Sequence, residues 1–158
     1  MFIKKLSIDG KCQEQWNLLK DKKIKGCTFM FSKGLEKVTV DKTFVESADC
    51  WQEFVSSLPE NGCRYGIFDL ELTVEDELTH LEYKGNKSNK LVFVCWTPVK
   101  APVKEKMIAA SSKEHFKRSF DRQFSIDWQF SDRTDLEIGE RLGDLQWVRS
   151  GARIVSVK

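Results

Sequence analysis

The sequence predicts an α/β protein of the α+β type: a central mixed β-sheet of five to six strands sandwiched between helices. Three observations predict it. Leu91-Val92-Phe93-Val94-Cys95-Trp96 is apolar without polar alternation, the mark of a strand covered on both faces. Residues 27–32 and 35–40, joined through Lys33-Gly34, read as a β-hairpin, which excludes a purely doubly wound parallel sheet. Pro98 and Pro102 then lead out of the apolar strand into a long helix, which ends before another strand begins.

The remaining elements follow from local pattern. Asp9 can cap a first helix whose apolar positions Cys12, Trp16 and Leu19 fall at i, i+4 and i+7. Residues 20–25 read as its basic end and exit, closed by Gly26. A second helix is expected over 48–58, with Asp49 and Gln52 spaced as a capping box. Trp51, Phe54, Val55 and Leu58 form its buried face, and Pro59 ends it. Residues 63–72 form another central strand, with Gly66 and Phe68 on the alternate face. The polar segment 73–90 ends in Lys84-Gly85-Asn86-Lys87-Ser88-Asn89-Lys90, an exposed basic turn. Residues 124–130 alternate as a strand with one solvated face. Thr134 and Glu137 open a short helix that stops at Gly143, and residues 146–157 have strand composition with their pairing open.

At 158 residues the chain reads as one domain spanning 1–158. With 41% hydrophobic and 32% charged residues it has the composition of a soluble globular protein. No apolar run approaches the roughly 20 residues of a membrane span, and the start shows no secretory leader, so a cytoplasmic location is expected. Five cysteines without CxxC spacing read as reduced core residues, and no metal is expected. A net charge of +2 does not make the whole chain a nucleic-acid binder. Between residues 100 and 118, however, six basic residues face two acidic ones, which argues for an acidic partner at one place.

Catalytic chemistry has no support. His80 and His115 lack a serine or cysteine partner at motif spacing, and no glycine-rich phosphate loop is present. The carboxylates of residues 71–82 read as a solvated face. No enzyme and no cofactor are expected. The long helix is the informative element. At about 100° per residue, Ile108, Ala109, Ser112, Phe116, Ser119 and Phe120 share one face. Met107 lies nearly opposite, among Lys104, Lys106, Lys113, Lys117 and Arg118. A flexible apolar side chain among cations reads either as a covered contact with a partner or as an ordinary solvated surface.

The chain resembles the ADF/cofilin family, the actin-depolymerising factor homology domain with its gelsolin-like fold. Four stretches carry the match: Phe54-Val55 with Leu58-Pro59, Cys63-Arg64-Tyr65 and Asp69; Lys90 to Val94 with Trp96 and Pro98; Ala101-Pro102-Val103-Lys104 with Lys106-Met107-Ile108 and Ala110-Ser111-Ser112-Lys113; and Glu140-Arg141-Leu142-Gly143. The third is the most specific, and the similarity spans roughly residues 9–143. The resemblance implies a monomeric actin-binding protein of the cytoskeleton that binds monomers and filaments, severing and depolymerising the latter. It implies that Lys104, Lys106 and Met107, with Lys113 and Lys117, contact actin through the long helix. It implies a second, filament-only contact from Lys84, Lys87 and Lys90 on the turn and Glu137, Glu140 and Arg141 on the C-terminal helix. The same basic helix would suit phosphoinositide headgroups.

Three departures are visible. The family's usual N-terminal serine would align with Ile3, leaving Ser7 as the nearby candidate for phosphorylation. The family's usual tyrosine after Met-Ile is Ala109, a lost volume that Trp128 or Phe130 is expected to refill. The strand after the long helix carries no histidine, so no histidine-based pH response is expected there. The competing readings are a non-severing filament or branching-complex binder, coactosin-like or glia-maturation-factor-like, and a phosphoinositide or nucleic-acid adaptor using the basic helix alone.

Overall fold

Seven strands and three helices alternate along the chain in a computed structural model that describes residues 6–76, 87–121, 124–132 and 152–157. They are β1 (Ser7–Ile8), α1 (Gly10–Lys20), β2 (Gly26–Phe31), β3 (Lys37–Phe44), α2 (Cys50–Ser56), β4 (Arg64–Asp76), β5 (Lys87–Trp96), α3 (Val103–Arg118), β6 (Ile126–Phe130) and β7 (Ala152–Val157). The strands form one mixed sheet in the order β1-β3-β2-β4-β5-β6, with β7 attached to β4. β1 runs parallel to β3 and β6 parallel to β5, and the other pairs are antiparallel. The expected mixed sheet is present. The two-residue β1 is too short to leave a periodic signal.

Strand alternation sends each central strand's side chains to two cores. On one face Cys27, Phe29, Tyr65, Ile67, Phe93 and Cys95 meet Trp16 of α1 and Ala109 and Phe116 of α3. On the other, Phe68, Val92, Val94, Trp96 and Trp128 meet Trp51 and Phe54 of α2. Helices therefore cover both faces, which is why residues 91–96 carry no polar alternation. The ring of Phe54 lies where Gly66 has no side chain: a Cβ there would come within 2.5 Å of Phe54 Cζ. Phe54 is fully buried and cannot swing out. Gly66→Ala should therefore cost about 1–3 kcal/mol, read as a fall in the denaturant midpoint with an unchanged slope.

Several local expectations need correction. Gly26 does not close α1; it begins β2, where a Cβ would meet the Phe68 ring at 2.5 Å and the Ile67 carbonyl oxygen at 2.9 Å. The helix stops at Lys20, and Lys22 takes the left-handed position at φ 62. The Lys22 N–H donates to the Leu19 carbonyl and the Lys23 N–H to the Leu18 carbonyl, the paired bonds of a Schellman stop. The Lys22 ammonium reaches Asp69 at 3.0 Å, a contact a glycine could not make. In the hairpin, Leu35 rather than Gly34 has the positive φ (55), so β3 starts at Lys37 and runs on to Phe44. The Asp49–Gln52 capping box does not form: Asp49 sits at φ −117, ψ 33, outside the extended backbone a cap requires. Instead Ser47 Oγ donates to Glu53 Oε1 at 3.2 Å.

The polar segment after residue 72 is not all turn. β4 continues to Asp76, and its far half gains a second neighbour where β7 pairs with it, Leu72 opposite Val157 and Asp76 opposite Ala152. That gives residues 152–157 of the tail their pairing. Ser119 lies at the end of α3, exposed, not on its buried face. The short helix expected at 134–143 lies outside the described residues. All five cysteines are buried and free. Burial pushes the Cys12 and Cys95 thiols up to about 11 and those of Cys27 and Cys63 to about 12.

Candidate functional site

Two prolines set the approach to α3. The Ala101 N–H donates to the Pro98 carbonyl at 3.0 Å, turning the chain at the end of β5, and Pro102 supplies the extended backbone before the first helical residue. The helix then lies along the sheet on Ala109 and Phe116, with Phe120 just past its end, all buried. Phe116 is the main mount. Its ring lies 5.0 Å from that of Phe29, 4.9 Å from Tyr65 and 5.1 Å from Phe120.

Ala109 is fully buried on the sheet side of α3. Tyr65 Oη, rising from β4, donates to the Ala109 carbonyl at 2.5 Å. Trp128 and Phe130 do not refill this place. The alternation of β6 turns Ile126, Trp128 and Phe130 to the opposite face, into the α2 core.

The outer face of α3 is apolar at its start. Among the described residues the exposed large apolar side chains are Val45, Val99, Val103 and Met107. Three of these four fall in one run at intervals of four: Val99 in the turn (76% exposed), then Val103 (69%) and Met107 (65%) on the first turns of α3. Residues four apart on a helix are neighbours, so Val103 and Met107 form a ridge. Val99 and Val103 are exposed apolar residues that the sequence reading did not single out; for Val103 the i, i+4 spacing back from Met107 was the signal that could have found it. Lys104 is exposed on one flank. Lys106, half-buried on the other, donates from Nζ to the Val99 carbonyl at 3.3 Å. The result is an uncovered apolar line between two cations.

Lys113 is half-buried farther along the helix. Lys117 is different, because Glu114 (3.0 Å) and Asp127 both pair with it and only 17% of its side chain is exposed. Burial alone would depress this ammonium, yet its hydrogen bonds to Asp127 and Glu114 raise it, so it stays charged and internally compensated. Of the second expected contact, Lys87 and Lys90 stand on β5, opposite Thr73 and Leu70, rather than on a turn. The register between β4 and β5 explains this, since it runs from Arg64 opposite Trp96 as far as Thr73 opposite Lys87. Lys84, Glu137, Glu140 and Arg141 lie outside the described residues. Ser7 is exposed on β1, with its N–H and Oγ both donating to the Glu36 carbonyl. His115 of α3 donates from Nε2 to the Leu6 carbonyl at 3.2 Å, tying the helix to the chain just before β1.

The sequence pattern of the family described as cofilin/tropomyosin-type actin-binding protein matches residues 5–143, which includes all of α3 and its approach. The chain belongs to that family. An actin-depolymerizing factor 3 from Oryza sativa subsp. japonica is 35% identical over 113 residues, 70% of this chain and 74% of that protein. A cofilin from Ogataea parapolymorpha is 34% identical over 115 residues, 72% and 74% of the two chains. The crystal structure of Streptomyces griseoflavus cofilin superposes with a TM-score of 0.70 at 29% identity, covering 87% of this chain and 95% of that one. Membership makes this cofilin-family chain an actin-binding protein and not an enzyme. Among the described residues no helix is long and apolar enough to cross a membrane.

Proposed function

We propose that this cofilin-family protein binds actin monomers and filaments, and severs and depolymerises the filaments. The observation that carries the reading is the Val99–Val103–Met107 line, uncovered, with Lys104 and Lys106 at its sides. Cations steer an acidic surface such as actin's into register, and the apolar ridge supplies the desolvated centre that holds it. Lys84, Lys87, Lys90, Glu137, Glu140 and Arg141 serve the filament contact in this reading. The protein acts as a single-domain monomer in the cytoplasm. Phosphoinositide headgroups compete with actin for Lys104, Lys106 and Lys113, and a phosphate on Ser7 would weaken actin binding by charge repulsion.

Filament co-sedimentation combined with microscopy of immobilised filaments tests the proposal. Sedimentation with the filaments and an increase in breaks per unit length are expected. Sedimentation without breaks would replace severing with coactosin-like decoration, and no sedimentation would sink the filament reading. A salt titration adds a discriminating readout. A binder held by charge alone weakens steeply with salt, whereas one centred on Met107 should weaken far less. Vesicles containing phosphoinositides should displace actin monomers from the protein if the lysines are shared.

A further inference from the structure

The first turn of α3 has an unusual capping problem. Glu105 is the third helical residue, the position from which a glutamate ordinarily reaches back to the N–H of the capping residue. Here the capping residue is Pro102, which has no N–H and makes no side-chain cap of its own. Glu105 therefore cannot close a box within its own helix. Its Oε1 instead accepts the backbone N–H of Cys63 at 2.6 Å, from the loop that joins α2 to β4. That loop is pinned at its other end as well, where Trp96 Nε1 donates to the Pro59 carbonyl at 2.6 Å.

We propose that Glu105 is the positioning residue of the actin contact: by holding the Cys63 N–H it moors the first turn of α3 to the 59–63 loop and fixes the direction in which Val103, Lys104 and Met107 project. The inference rests on the actin-binding reading of α3. Glu105 is half-buried and turned toward the loop, while the apolar line occupies the outer face. The inner anchors of α3, Ala109 and Phe116, lie one turn or more beyond it. Without the mooring, the turn that carries the contact residues keeps, among the described residues, buried Ala101, the partly buried Ile108 and two surface links, Lys100 to Glu60 and Lys106 to the Val99 carbonyl, so more of its ordering falls to the partner at the moment of binding.

Charge and position predict opposite signs here, which makes the claim testable. Removing a carboxylate from a basic surface should tighten binding to an acidic partner if charge is all that Glu105 contributes. Loss of the mooring should weaken it. The test measures the affinity of fluorescently labelled actin monomers for the wild-type chain and for Glu105→Ala, Glu105→Asp and Glu105→Gln. Glu105→Ala should bind about tenfold more weakly. Glu105→Asp keeps the charge but withdraws the oxygen by one methylene, and should fall comparably. Glu105→Gln keeps an acceptor at the same reach and should stay within about twofold. Hydrogen exchange of the Cys63 amide, measured without actin, should accelerate in the alanine and aspartate variants and not in the glutamine one. Unchanged or tighter binding by folded Glu105→Ala, or an equal loss in Glu105→Gln, would overturn the proposal. If Glu105→Ala does not fold, the contrast between Asp and Gln decides in the same way. A wild-type chain that fails to bind actin refutes the actin reading instead, and the exchange rates still report whether the mooring exists.

Discussion

Lys104→Ala combined with Lys106→Ala should reduce the affinity for actin monomers by about a hundredfold or more, with the melting temperature unchanged. Lys104 is exposed and Lys106 half-buried, neither in the core, and alanine is at least as good a helix former as lysine. Among the described residues the hydrogen bond lost is that from Lys106 Nζ to the Val99 carbonyl, at 3.3 Å on the surface. The loss therefore falls on binding. It should appear first in the association rate, because the two ammonium groups steer the encounter, and then in residence time, because they rim the apolar ridge. Titration of labelled monomers with the purified double variant measures it. Normal binding by a folded double variant would remove the actin contact from this end of α3.

Phe116→Ala should destabilise the protein by about 3–5 kcal/mol, the range for removing a fully buried aromatic ring. The ring packs against Phe29, Tyr65, Phe93 and Phe120, and so joins α3 to β2, β4 and β5 at once. Neighbours on three strands cannot collapse together into the space it leaves, which places the expected cost toward the upper part of that range. Equilibrium denaturation gives the number. A loss below about 1 kcal/mol would mean that α3 is not mounted on the sheet through this residue. Actin binding measured well below the transition should survive in part, since Tyr65 and Ala109 still hold the middle of the helix.

Hydrophobic period carried most of the fold. The two-faced apolar run at 91–96, the i, i+4, i+7 pattern of α1 and the clean alternation of β6 each led to the element found. What escaped was decided by tertiary contact. Gly26 looked like a helix stop but is required by the Phe68 ring pressed against it. Lys22 takes the left-handed turn that composition assigned to glycine, and it also gains Asp69. Asp49 has the right spacing for a capping box and the wrong backbone. At the site, Met107 was legible because an apolar residue among lysines is conspicuous. Val99 and Val103 were not, since valines beside prolines look like a strand running out. Glu105 could not be read at all, because its partner lies 42 residues away and is a backbone N–H.

The five buried thiols have a practical consequence. None is reactive while the chain is closed, because burial holds every one of them protonated and out of solvent. A thiol reagent added to the native protein consequently labels it only as fast as the surrounding structure opens. Cys12, Cys27, Cys63 and Cys95 sit in the core under α1 and α3, and Cys50 in the core under α2. Which cysteine is labelled first names the side of the sheet that gives way first. The unmodified protein thus carries a built-in clock for its own opening, one dial on each face.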